Sequence, residues 1–250
     1  MNSLNSSLAE QRESSYEQKR AKYFGELALK HLSLMRLHKE FGLLPRKEGF
    51  GNVTEHCLTE AAAAEVIADE LGLSVDSKQK LVEAPLIHDF YKRREVERTR
   101  EDRNSARSFD AAAKSSRQIL LDRGIDKDIV EIADYAGHNY LGRMMELLGR
   151  MDSLSEVERL QLIFHYLDDI TLNNDFVMLK SRIDMLESNP KYKVLNESGR
   201  DQFEGMATFS VQRAVGQKIE KWLAKAIGLD YPNVLPWWIR EEVQSKIETV

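Results

Sequence analysis

Residues 54–72 read TEHCLTEAAAAEVIADELG, and their reading decides the fold class. Thr54 is placed to accept from the free N–H groups of a first helical turn, the alanine block 61–64 favours helix over every alternative, and Gly72 supplies the stop. The spacing predicts a helix from Thr54 to Leu71 with His56 in its first turn.

The same helical period extends outward in both directions. Toward the N-terminus, Phe24, Leu27, Leu32, Leu34, Met35 and Leu37 mark a long leading helix from about Tyr16 to Phe41, broken once and stopped by Gly42, with polar, frayed residues 1–14 before it. Toward the C-terminus, Asp76 and Gln79 open a helix whose apolar stripe runs from Leu81 through Ala84 or Pro85 to position 88, a histidine. Further helices are expected over 105–123 and 126–136, the second closed by Gly137 just before His138. Ser155 and Glu158 form a capping box for a helix through about Thr171, and 176–188, 199–227 and 236–248 carry helical spacing as well. No β-branched alternating segment bounded by hairpin turns interrupts this array, so the expected class is all-α.

Composition narrows the function. Of 250 residues, 42% are hydrophobic and 31% charged, which suits a soluble globular protein and not a disordered one. Cys57 is the single cysteine, so an internal disulfide and a cysteine-rich zinc site are excluded, and a reducing cytoplasm is the expected compartment. The N-terminus lacks a basic segment followed by an apolar run, and no stretch approaches the roughly 20 apolar residues of a membrane span, so neither secretion nor a membrane partner is expected. A net charge of −5 argues against bulk nucleic-acid binding, which needs a basic surface to release counterions.

The chemistry is concentrated in His56, the adjacent pair His88–Asp89, and Asp168. Two imidazoles and two carboxylates are a suitable ligand set for one divalent ion, with positions left for water and a substrate oxygen. Neighbouring helical residues point about 100° apart, so His88 and Asp89 share an ion only at a seam between helices, with His56 and Asp168 arriving from neighbouring helices. Asp168 shares a face with Val157, Phe164 and either Leu160 or Gln161. Asp169 lies on a different stripe with Leu162 and His165, and the choice between the two aspartates stays open.

The ordered set VTEHCLTEA (53–61), APLIHDFYK (84–92) and FHYLDDIT (164–171) resembles the H…HD…D pattern of the HD superfamily of metal-dependent phosphohydrolases, over about residues 50–175. The resemblance implies a helical HD-domain core at 50–175, flanked by a leading extension at 1–49 and a C-terminal helical extension at 176–250 packed on the core. It also implies one divalent metal ion (Mn, Fe, Co or Mg, with Zn or Ni tolerable) on His56, His88, Asp89 and Asp168. The substrate class it implies is a small phosphorylated molecule, most often a nucleotide, hydrolysed by metal-activated water. Asp89 would orient that water, and Lys92, three residues on, would neutralise charge on the phosphoryl oxygens. Arg93 is a further candidate for the phosphate, as are Arg94, Arg98 and Arg103, because a guanidinium matches phosphate geometry. His138 is a candidate substrate contact. A second metal is less expected, since His138 and His165 are the only spare histidines between the HD pair and Asp168 or at its approach. Two other classes fit the resemblance: a di-iron oxygenase, which needs another histidine pair, and a non-catalytic nucleotide sensor or partner-binding protein, which a degraded metal site would favour.

Overall fold

A computed structural model of the chain describes residues 2–44, 51–101 and 105–250, and side chains over 15–44, 52–97 and 113–250. The described elements are helices apart from one small hairpin. In chain order they are α1 (Asn2–Lys30), α2 (Leu32–Glu40), α3 (Gly51–Glu70), α4 (Val75–His88), α5 (Lys92–Glu101), α6 (Ser105–Asp122), α7 (Lys127–Ala133), α8 (Leu141–Leu148) and α9 (Glu156–Ile170). A hairpin of β1 (Thr171–Leu172) and β2 (Asp175–Phe176) follows, then α10 (Leu179–Ser188), α11 (Lys193–Gln202), α12 (Thr208–Ala226) and α13 (Leu235–Glu248). The fold is all-α, and no described helix is long and apolar enough to cross a membrane.

Helix α3 is the axis of the molecule. Ala61, Ala62, Ala63 and Ala64 are all fully buried, so α3 is covered on every side, packing most extensively on α4 and also on α9, α13 and α1. Alanine leaves little side chain between helix axes, which lets neighbours come close enough to bring groups from three helices to one point. The helix begins at Gly51, one turn before Thr54, so Thr54 is not its cap. Its buried hydroxyl instead lies 3.1 Å from His38 Nδ1, while His38 Nε2–H donates to the Leu86 carbonyl at 2.7 Å. Burial lowers the His38 pKa, in keeping with a neutral ring that ties α2, α3 and α4 together.

Other helix ends show which local signals prevailed. Ser74, not Asp76, caps α4, accepting from Ser77 N–H at 3.1 Å. The leading helix does break once, at His31, but α1 extends back to Asn2. The expected helix 199–227 is two helices, because Glu204 and Gly205 both take positive φ and reverse the chain. Gly199 permits this reversal: a Cβ there would lie 2.3 Å from Thr208 N. Helix α8 has no counterpart in the sequence reading, although Leu141, Met144 and Leu147 are buried at helical spacing. The β1–β2 hairpin was likewise unexpected, since strands of two residues leave no periodicity to read.

At α9 the capping box is complete. Glu158 N–H donates to Ser155 Oγ at 3.3 Å, and Ser155 N–H donates to Glu158 Oε2 at 3.0 Å. The Arg150 hydrogen bond and the Ser155 N–H depress the Glu158 pKa to about 2. Ser155→Ala should cost about 1 kcal/mol, lowering the thermal midpoint by roughly 2–4 °C for a chain of this size. An unchanged midpoint in a thermal denaturation would show that the cap contributes nothing.

Candidate metal centre

Three helices bring four metal-ligating side chains together: His56 and Glu60 from α3, His88 from the last residue of α4, and Asp168 from the last turn of α9. Their ligand atoms all lie within 4.8 Å of one another. His56 Nε2 is 3.0 Å from Glu60 Oε1 and 3.6 Å from Asp168 Oδ1, and His88 Nε2 is 4.0 Å from the same Asp168 oxygen. His56 and Glu60 are four residues apart and therefore share one face of α3.

The backbone fixes which nitrogen each histidine presents. His56 Nδ1–H donates to the Asn173 carbonyl at 3.0 Å, and His88 Nδ1–H donates to the Pro85 carbonyl at 2.8 Å. Both rings therefore turn Nε2 toward the cluster, as metal-bound histidines do when the other nitrogen is tied down. The hairpin that escaped sequence reading supplies the first of these carbonyls. Asn173 sits at its tip with φ 58°, a left-handed conformation that asparagine tolerates better than most residues.

The donor set fits a divalent cation. Glu60 is fully buried, its oxygens facing only the rings of His56 (Oε1–Nε2 3.0 Å) and His88 (Oε2–Nδ1 3.5 Å) without a well-aligned hydrogen bond, and the buried His88 Nε2 has no hydrogen-bond partner. A carboxylate in that state is costly to bury, and one cation among these atoms would satisfy them together. Burial raises the Glu60 pKa against the charges of His56 and His88, which lower it. Burial alone would lower the His56 pKa, but the charges of Glu60 and Asp168 close to its ring hold it well above the usual range. The surroundings of His56 Nε2 thus favour a positive charge, which a proton or a metal ion can supply. With no sulfur donor, the set suits Mn, Fe, Co or Mg, and Zn or Ni remain compatible.

The two adjacent aspartates differ sharply. Burial would raise the Asp168 pKa, but the contact with His56 and the charges of His88, His56 and Arg182 hold it far below its usual value. Asp169 is driven the other way, by burial first and then by the charge of Asp168. Its Oδ1 accepts from Gln212 Nε2–H, while Oδ2 faces His165 Nε2 at 3.3 Å. His165 Nδ1–H donates to the Tyr135 carbonyl at 3.0 Å, and burial lowers its pKa to about 4, so its ring is neutral and its Nε2 carries a lone pair. One proton on Asp169 Oδ2, donated to His165 Nε2, satisfies both otherwise partnerless atoms. Asp169 therefore belongs to an uncharged structural chain and Asp168 to the charged cluster.

The remaining candidates divide by position. Asp89 caps α4 and borders the cluster without joining the four converging residues: its Oδ2 is 3.8 Å from His88 Nε2 and its Oδ1 3.4 Å from Lys92 Nζ. Burial opposes its ionisation, but Lys92 and the two histidines keep its pKa below normal. The Asp89 charge in turn raises the Lys92 pKa, and Lys92 also lies 3.5 Å from Glu95. Arg93 is directed away, donating to Glu97 at 2.9 Å and to the Gly42 carbonyl at 3.2 Å. Arg94 is exposed and pairs with Glu97 at 3.2 Å, while the side chains of Arg98 and Arg103 fall outside the described residues. His138 follows Gly137, whose backbone closely approaches the cluster: a Cβ there would lie 3.4 Å from Asp168 Oδ2. Burial and the Lys92 charge lower the His138 pKa, against the Asp168 charge, which raises it.

Sequence reasoning missed Glu60. The available signal was the His56-x-x-x-Glu60 spacing, which puts an acid one turn from a candidate ligand, on a helix whose alanine block implied burial. Compared with protein-family models, curated proteins and solved structures, the chain gives no match.

Proposed function

We propose that this chain is a metal-dependent phosphohydrolase of the HD type, acting on a small phosphorylated molecule such as a nucleotide. The observation that carries the reading is the convergence of His56, Glu60, His88 and Asp168 with their lone pairs turned inward and partly unsatisfied. The order of His56, His88–Asp89 and Asp168 along an all-helical chain resembles the superfamily pattern, and Glu60 is an additional acid within it. Assignment to that superfamily is part of the proposal.

A divalent ion held by these residues would supply Lewis acidity, acidifying water and polarising a phosphoryl oxygen. The chain's own residues do the rest. The Nδ1 hydrogen bonds to Asn173 and Pro85 keep both imidazoles oriented without further reorganisation. Asp89, ionised beside Lys92, is available to orient the attacking water and take its proton. Lys92 stays charged and offsets negative charge that develops on the phosphoryl oxygens. His138, next to the Gly137 turn that approaches Asp168, would contact the substrate.

The test pairs metal analysis of the purified protein with a phosphate-release screen over nucleotides in the presence of Mn, Fe, Co or Mg. We expect about one divalent ion per chain and metal-dependent phosphate release. His88→Ala should lose both while keeping its helical circular dichroism, because the ion binds an already packed helical core. Metal-independent release, or none with any metal, would overturn the phosphohydrolase reading. Collapse of helicity in His88→Ala would mark the metal as structural.

A further inference from the structure

The two histidines of the cluster are held in different ways, and the difference singles out the β1–β2 hairpin. His88 leans on its own helix. The Asp89 N–H turns to the Ile87 carbonyl, and the Pro85 carbonyl, three residues before His88, accepts from His88 Nδ1–H at 2.8 Å. His56 leans on a distant segment: its Nδ1–H donates at 3.0 Å to the carbonyl of Asn173, 117 residues further along the chain. Its ring has Nε2 at 3.0 Å from Glu60 Oε1 and 3.6 Å from Asp168 Oδ1. That orientation therefore depends on where the hairpin tip places one peptide group.

Backbone conformation, not side-chain packing, places that group. Asn173 and Asn174 are the two central residues of the turn, enclosed by the cross-strand pair Leu172–Asp175. The hydrogen bonds of a two-residue hairpin loop run between the flanking residues, so the carbonyl of the first central residue is left to accept from outside the hairpin. Asn173 presents it with φ 58°, a region that glycine and asparagine enter readily and a β-branched residue enters only under strain. The Asn173 side chain is exposed, so its identity reaches His56 through the main chain.

The base of the hairpin is fixed. Thr171 is fully buried and its hydroxyl donates to the Leu167 carbonyl at 2.7 Å, while the Val177 N–H donates to the Ile170 carbonyl at 2.8 Å. Phe176 is buried in β2, which packs on α13. Arg240 of α13 pairs with Asp175 at 3.2 Å, but both side chains are partly exposed, and such a pair contributes little. With the base held, the conformation of Asn173 decides where its carbonyl points.

We propose that Asn173 is a positioning residue of the metal centre: its positive-φ backbone aims the carbonyl that fixes the His56 ring, and so sets the affinity of the cluster for a divalent ion. This rests on the metal centre in the reading above and not on the reaction assigned to it. It makes the hairpin, and not only the three helices that carry the ligands, part of the metal site.

The experiment compares the wild type with Asn173→Gly, which keeps easy access to positive φ, and Asn173→Val, which does not. Isothermal titration calorimetry measures Mn2+ binding, and circular dichroism checks the fold. NMR of the 15N-histidine-labelled protein in EDTA follows the His56 Nδ1–H, whose signal is protected only while the carbonyl holds it. We expect Asn173→Val to keep its helicity, lose that signal to exchange with water, and bind Mn2+ about 10-fold or more weakly, the usual cost of removing the group that holds a ligating histidine. Asn173→Gly should keep the signal and bind within about threefold of wild type, because glycine adopts the same backbone conformation. If Asn173→Val fails to fold, Asn173→Ala meets the same steric barrier without a branched side chain and carries the same expectation. Wild-type Mn2+ affinity in a folded Asn173→Val or Asn173→Ala, or Asn173→Gly as weak as either, overturns the proposal. A wild type that binds Mn2+ but releases no phosphate overturns the phosphohydrolase reading alone. One that binds no Mn2+ overturns the metal centre and this proposal with it.

Discussion

Asp168→Asn should abolish metal binding, and Asp169→Asn should leave it intact. Asp168 presents Oδ1 to both His56 Nε2 and His88 Nε2, at 3.6 and 4.0 Å, and is held ionised. An amide there removes a full negative charge from the four-residue cluster. The affinity loss should be about 100-fold or more, at or beyond the upper end of what outer-shell changes alone cost. Asp169 is already neutral, and asparagine reproduces its protonated form: Nδ2–H can donate to His165 Nε2 while Oδ1 accepts from Gln212. Stability of Asp169→Asn should stay within about 1 kcal/mol of wild type, because the hydrogen-bond pattern is kept. Asp169→Leu, by contrast, strands His165 and Gln212 and should cost about 3 kcal/mol. Metal content after dialysis and urea denaturation of the three variants read these outcomes. Metal retained by Asp168→Asn and lost by Asp169→Asn would reverse the assignment.

Glu60→Gln should change the sign of its effect with metal. Without metal, Glu60 places a carboxylate that meets only the His56 and His88 rings, with no well-aligned hydrogen bond, in a fully buried position, and burial pushes its pKa up. Replacing it by an uncharged isostere should be neutral or stabilising by about 1–2 kcal/mol, as is common when a buried charge is removed. With metal, the wild type gains by mass action, about 2.7 kcal/mol at a ligand concentration 100 times Kd. That gain corresponds to roughly 5–10 °C in thermal midpoint for a chain of this length. The variant should lose most of it. Thermal denaturation in EDTA and in excess Mn2+ makes the comparison. A variant that melts lower in EDTA and still gains the full Mn2+ shift would show Glu60 to be a structural acid.

Such a cluster costs stability. Glu60 and His88 Nε2 are buried without a well-aligned hydrogen bond, beside a cluster of alanine and larger aliphatic and aromatic side chains. The packing that makes the cluster costly is the packing that holds its four side chains facing one another.

The sequence by itself determined the helical class, the Ser155–Glu158 cap and the order of His56, His88–Asp89 and Asp168 along the chain. These are local properties, since apolar spacing, capping residues and motif order need no knowledge of what packs against what. It could place Asp168 on one face of α9 and Asp169 on another, but not say which face met the histidines. That choice required the crossing of α3, α4 and α9, together with Gln212 from α12, which takes up Asp169. Glu60 stood one turn from His56 in plain view, yet only its burial without a partner separates it from a surface acid. Asn173 acts through its carbonyl, which carries no side-chain signature, and a hairpin of two-residue strands has no period. Helical periodicity specifies which face of a helix is buried; which groups meet across that face is decided by how the helices pack.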